Sequence, residues 1–217
     1  MSIDKYNHMM RKLVFVLLLL APVLLRGGDV GKILEESEMA YARAGTFTSE
    51  FVQTIESGDF FEDERIEGTL LMEYPNKFRL DTPEQVIACD GETLWSYSVE
   101  NQQVVIEPVA NATDMVTPAD YLFNFKDNYR VAADTVLELG KQLCYRLSLA
   151  ALDDEQFVQE MELYLDHESY EVAQVTYTDI NDNLVTIRFR KLKLGAAIPT
   201  ERFRFLTPKG VEEVRLP

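Results

Sequence analysis

Between positions 29 and 45 the apolar residues Ile33, Leu34, Met39, Tyr41 and Ala42 recur at helical spacing and Gly45 supplies a stop, so the pattern predicts one amphipathic helix. From Thr46 the period drops to two. Phe47, Ser49 and Phe51 alternate with Thr48, Glu50 and Val52, and short alternating runs follow at Arg65–Glu73, Lys77–Asp81, Gln85–Cys89, Leu94–Val99 and Gln102–Glu107. Turn residues separate them, and Asp90-Gly91 between two β-like runs is a strong hairpin signal. Positions 108–126 break the alternation, and Ala119–Phe125 sets Tyr121, Leu122 and Phe125 on one face of a short helix. Strands are predicted again at Tyr129–Ala133, Leu143–Ala150, Phe157–Asp166, Val172–Asp179, Leu184–Lys193 and Arg202–Phe205. The expectation is a mainly β domain of about ten or eleven strands, closed or nearly closed into a barrel so that few edges are exposed.

Ahead of this pattern stands a different one. Lys5, Arg11 and Lys12 precede an apolar run of 13 residues, Leu13 through Leu25, broken only by Pro22 and followed by Arg26, Gly27 and Gly28. This is the layout of a secretory signal peptide, and 13 residues in a helix span roughly 20 Å, short of a ~30 Å hydrocarbon core. Residues 1–28 are therefore expected to be a removable leader and residues 29–217 one exported domain. No Cys follows the run, so lipidation of the chain itself is not expected.

Removing the leader takes away four basic residues and one acidic one, which moves the formal charge from −16 to −19. That balance argues against nucleic acid and anionic lipid surfaces as partners, and favours solubility or a basic partner surface. Cys89 and Cys144 are the only cysteines; in an oxidising compartment they either pair or remain two buried thiols. His167 is the single histidine after the leader and falls in a predicted turn, which leaves neither a His/Cys metal site nor a histidine-based triad with enough members. The acidic runs Glu62–Glu64 and Asp153–Glu155 read as solvated loop tips, and Asn111-Ala112-Thr113 matches a glycosylation triplet without other support. Catalysis, metals and cofactors are not called for.

The aromatics carry more information. Phe47, Phe51, Phe78, Trp95, Tyr97, Phe203 and Phe205 are spread over almost every predicted strand. A barrel of ten or eleven strands is wider than the eight-stranded kind that side chains just fill, so an apolar cavity is expected, covered by the inserted helix.

Five segments then occur in a telling order. Thr46-Phe47-Thr48-Ser49-Glu50-Phe51-Val52-Gln53, Gly68 through Leu80, Asp90-Gly91-Glu92-Thr93-Leu94-Trp95-Ser96-Tyr97, Thr117-Pro118-Ala119-Asp120-Tyr121-Leu122 and Phe203-Arg204-Phe205-Leu206-Thr207-Pro208-Lys209-Gly210-Val211 resemble, in sequence, successive motifs of the LolA family. The resemblance covers about residues 30 to 217. It implies an unclosed antiparallel β-barrel with a helical lid and no enzymatic activity. It implies a periplasmic monomer that takes lipoprotein acyl chains from an inner-membrane lipoprotein-releasing ABC transporter and delivers them to an outer-membrane acceptor, LolB-like or unknown. One departure stands out: the family pattern has an Arg before Pro75 that latches the lid, and Tyr74 holds that place here. Leu80 likewise replaces an aromatic.

Alternation adds candidate cavity residues. Leu70, Met72 and Tyr74 share one face, Phe78 and Leu80 continue it, and Phe47, Phe51, Trp95 and Phe205 are added from neighbouring strands. Tyr121, Leu122 and Phe125 are expected to form the lid face. The competing readings are a related periplasmic module that binds or senses another lipid or hydrophobic ligand, a filled structural barrel, and, last, a hydrolase using two carboxylates.

Overall fold

A computed structural model describes residues 30–57, 63–111, 125–154, 156 and 158–217. The leader and the candidate lid residues Tyr121 and Leu122 lie outside the described residues. Helix α1 spans Val30–Ala44, and the described residues after it form one sheet of twelve strands. These are β1 (Thr46–Glu56), β2 (Glu64–Glu73), β3 (Lys77–Asp81), β4 (Gln85–Cys89), β5 (Thr93–Ser98), β6 (Gln103–Pro108), β7 (Tyr129–Leu139), β8 (Gln142–Ala151), β9 (Glu160–Asp166), β10 (Val172–Thr178), β11 (Leu184–Leu194) and β12 (Glu212–Arg215). A short helix α2, Phe125–Asn128, precedes β7. The strand order is β12-β6-β5-β4-β3-β2-β1-β11-β10-β9-β8-β7, and the edge strands β7 and β12 do not pair with each other. The sheet is therefore unclosed. Among the described residues no helix is long and apolar enough to cross a membrane.

Register explains the core. Directly opposed residues share a face, and one row crosses β1 to β5 as Phe47, Met72, Phe78, Cys89 and Leu94. A second row crosses β11 to β8 as Ile187, Val175, Leu163 and Leu147. Members of both rows belong to, or pack against, a single apolar cluster, so the sheet curls to bring its two wings around one interior. Helix α1 contributes Ile33, Leu34 and Tyr41 to the same cluster from the inner side. A period of 3.6 in the helix and of two in the strands thus points most of the buried apolar side chains at one volume.

The outer face of the first wing has its own smaller core. Ala88, Val104 and Ile106 are buried but stand on the face opposite Cys89 and Leu94. The C-terminal segment covers them. Arg202–Phe205, expected as a strand, is instead a 3-10 turn, Thr200–Phe203, followed by extended chain. Pro199 lacks the N–H that a ladder needs, and the amides of Arg202 and Arg204 bond back to the carbonyls of Pro199 and Glu201. Arg79 on β3 grips this segment through the carbonyls of Arg202 and Arg204, at 3.4 and 3.2 Å, while its guanidinium also forks onto Asp81. The segment then returns as β12, parallel to β6. Four residues with one apolar member, Val214, gave no readable alternation, which is why the twelfth strand escapes the sequence pattern.

Candidate functional site

Among the described residues the inner face collects most of the buried apolar side chains. Phe47, Phe51, Leu70, Met72 and Phe78 are all buried in its cluster, and Leu80 is partly buried against it. Phe51 owes its place to Gly68, the residue opposite it on β2: a Cβ at Gly68 would lie 2.5 Å from the Phe51 ring and 2.6 Å from the Asp81 carbonyl. The ring therefore occupies the space that a side chain at this strand position would take.

Tyr41 closes one end. Its ring meets Phe47 edge-on at 5.1 Å, and its hydroxyl accepts a 2.8 Å bond from the Val172 N–H beside a bulge in β10. Burial holds this phenol far above its ordinary pKa. Nearby, Tyr145 stacks on His167 at 4.5 Å and on Tyr170 at 6.0 Å. At the other end Phe125 of α2 is fully buried in the same cluster, and the Tyr129 hydroxyl donates to the Val158 carbonyl at 3.1 Å. Phe125, a candidate lid residue, thus sits with the inner face.

Three candidate cavity residues stand elsewhere. Trp95 follows the inward Leu94 and shares the outer face with Ala88 and Ile106, and Phe205 stacks on outward-facing Tyr97 at 5.0 Å. Tyr74 lies just past the end of β2 with 46% of its surface exposed. The aromatic character of Trp95 and Phe205 belongs to the outer core under the C-terminal segment. Conversely, the second wing supplies inner residues that were not singled out, among them Leu147, Met161, Leu163, Ile187 and Phe189. Their strict alternation in β8, β9 and β11 was the signal.

Cys89 and Cys144 are free and buried, in β4 and β8 on opposite faces of the sheet, with six strands between them. Of the two possibilities the sequence allowed, the thiols are the outcome. Burial pushes both up, Cys144 to about 11, so neither is a reactive thiolate at neutral pH.

A family described as outer membrane lipoprotein carrier protein LolA matches residues 42–206, three quarters of the chain. The chain belongs to the LolA family. Among curated LolA relatives, an outer-membrane lipoprotein carrier protein of Methylobacillus flagellatus is 23% identical over 184 residues, covering 83% of this chain and 88% of that one. A carrier protein of the same description from Haemophilus influenzae is 33% identical over 125 residues, 56% of this chain and 60% of that one. An uncharacterized protein of Methanocaldococcus jannaschii is 24% identical over 143 residues, and the chain spans only 41% of its length. Among solved structures, an uncharacterized conserved protein from Thermus thermophilus shares the fold with a TM-score of 0.58 at 13% identity, covering 87% of this chain and all of that one. The mainly β, unclosed LolA architecture is thus the one observed, with twelve strands rather than ten or eleven and with one parallel pair, β12–β6.

Proposed function

We propose that this LolA-family protein is a periplasmic carrier whose inner face takes up the acyl chains of lipoproteins leaving the inner membrane and delivers them to the outer membrane. The observation that supports this is an apolar inner face running across the curled sheet in which Leu80, Ile87, Val131, Val136, Ile187 and Phe189 are only partly buried. A filled core would bury such residues fully; an apolar guest can finish the task. Each buried CH₂ is worth about 0.8 kcal/mol, so a long acyl chain is held strongly and crosses water only when shielded. Binding of this kind needs no catalytic group, metal or cofactor. The leader pattern fits the compartment, an ABC transporter that releases lipoproteins fits as donor, and an outer-membrane acceptor of LolB type as recipient.

The test is displacement of a fluorescent fatty-acyl probe by a triacylated lipopeptide. Leu80→Asp puts a carboxylate on the inner face and should weaken both ligands roughly tenfold or more, with circular dichroism confirming that the sheet persists. Trp95→Phe, on the outer face, should leave both unchanged. A probe that binds equally well to Leu80→Asp, or a lipopeptide that never competes, would refute the reading; displacement by free phospholipid alone would move it to another lipid.

A further inference from the structure

The outer face carries a feature that neither core uses. Arg188, Arg190, Lys191 and Lys193 fall within six consecutive residues of β11, in a chain that without its leader has 17 basic and 36 acidic residues. Strict alternation would turn Lys191 and Lys193 inward and Leu192 outward. The ladder prevents this. Arg190 lies opposite Glu50 and Lys193 opposite Thr48, so β11 holds one extra residue against Ser49 of β1. Lys191 sits in that bulge at φ 51, the left-handed region that favours glycine. As a result Leu192 and Leu194 pack against the core while all four cations are exposed. A strained lysine at a bulge that gathers cations is an outlier with a functional look.

Two of the four are engaged by neighbours: Lys191 with Glu50 at 2.8 Å and Arg188 with the Gln174 carbonyl oxygen at 3.1 and 2.8 Å. Arg190 and Lys193 hold no salt bridge among the described residues. At the same end of the barrel Gly195 bonds to Thr46, and Tyr74 bonds to Gly45, so the half-exposed Tyr74 stands two strands from the end of β11.

We infer that the outer face of β11 docks on anionic phospholipid headgroups, with Arg190, Lys191 and Lys193 as the contact. Outward side chains along a regular strand repeat about every 7 Å, and the bulge adds Lys191 directly after Arg190, so the strip spreads several cations along the strand, which suits a plane of phosphates better than one anion. A tyrosine flanking a basic strip is the kind of side chain that settles at a lipid–water boundary. The acidity of the rest of the molecule does not forbid contact, because charges beyond ~8 Å are screened at physiological salt. This narrows the composition-based expectation that anionic surfaces are avoided: it holds for the molecule but not for this strip. The inference rests on the carrier reading, which brings the protein to a membrane, and it identifies the surface where the carrier would wait for cargo.

The protein recovered from the periplasm is sedimented with phosphatidylcholine vesicles, with and without about one third phosphatidylglycerol, at low and high salt. Binding should be roughly tenfold tighter to the anionic vesicles and be lost at high salt. The double variant Arg190→Gln/Lys193→Gln should lose most of it, Arg65→Gln at the opposite end should not, and fatty-acyl probe uptake should be unchanged in both. Equal binding to neutral vesicles, no vesicle binding, or a double variant that binds like the parent would overturn the inference while leaving probe uptake to judge the carrier reading separately. Equally strong, salt-sensitive binding to soluble polyglutamate, or self-association lost in the double variant, would also overturn it, in favour of an acidic protein or a second copy.

Discussion

Gly68 and Phe51 show how closely the inner face is fitted. Any Cβ at Gly68 meets both the Phe51 ring and a backbone carbonyl, and the carbonyl cannot step aside as a side chain can. Gly68→Ala should therefore cost about 2 kcal/mol in urea unfolding, within the range for overpacked cores. Tyr41 offers a second residue-scale test. Tyr41→Phe leaves the Val172 N–H without its 2.8 Å acceptor inside the protein and should cost about 1–3 kcal/mol. It also has a pH signature. Burial raises the folded phenol's pKa above that of the unfolded chain, so its stabilising share is complete below a pH of about 10 and fades above it. Tyr41→Phe should flatten that alkaline decline in melting temperature. A decline as steep as in the parent would show that other groups cause it. At this scale alternation reveals which residues share a face, and Phe47, Leu70, Met72 and Phe78 follow from it. It does not say which face is inner where both are apolar, which is why Trp95 was assigned to the wrong side of β5.

The hairpins are closed by aspartates. Asp90, Asp166 and Asp179 each accept two backbone N–H groups from residues two to four positions further along the chain. For Asp166, burial pushes the carboxyl up, but the Ser169 and Glu168 amides and the Gln142 side chain outweigh it and hold it below the usual carboxylate range. Its stabilising share is thus complete above a pH of about 4 and is lost as the pH falls further. Asp166→Asn should lower stability at neutral pH and shrink the acid-induced loss, measured as melting temperature against pH; an unchanged acid limb would contradict the role given to this turn. Elements bounded by such turns were the legible ones. The helix at Val30–Ala44 and the strands from β1 to β6 match their sequence signals closely. Beyond Ala133 the alternation is masked by a bulge at Ala132, so β7 runs on to Leu139 unannounced. Segments whose structure depends on distant partners, the 3-10 turn at Thr200–Phe203 and the parallel β12, leave little local trace.

The whole molecule divides its labour between two faces of one sheet. The inner face gathers apolar side chains from α1, α2 and most of the strands, and the outer face is split between the strapped aromatic core near β5 and the basic strip of β11. Sequence order alone carried the family, because five motifs in succession constrain a chain more than any one of them. The candidate cavity was legible only in its first wing, since the second wing's inner residues, mostly aliphatic with a few aromatics such as Tyr145 and Phe189, carry no distinctive motif. The measurement that bears most directly on the carrier reading is mass spectrometry of the protein purified from the periplasm of its host under native conditions. The account predicts triacylated lipoproteins bound one to one and lost from Leu80→Asp. Recovery of the protein empty, or with free lipids only and no lipoprotein, would contradict it.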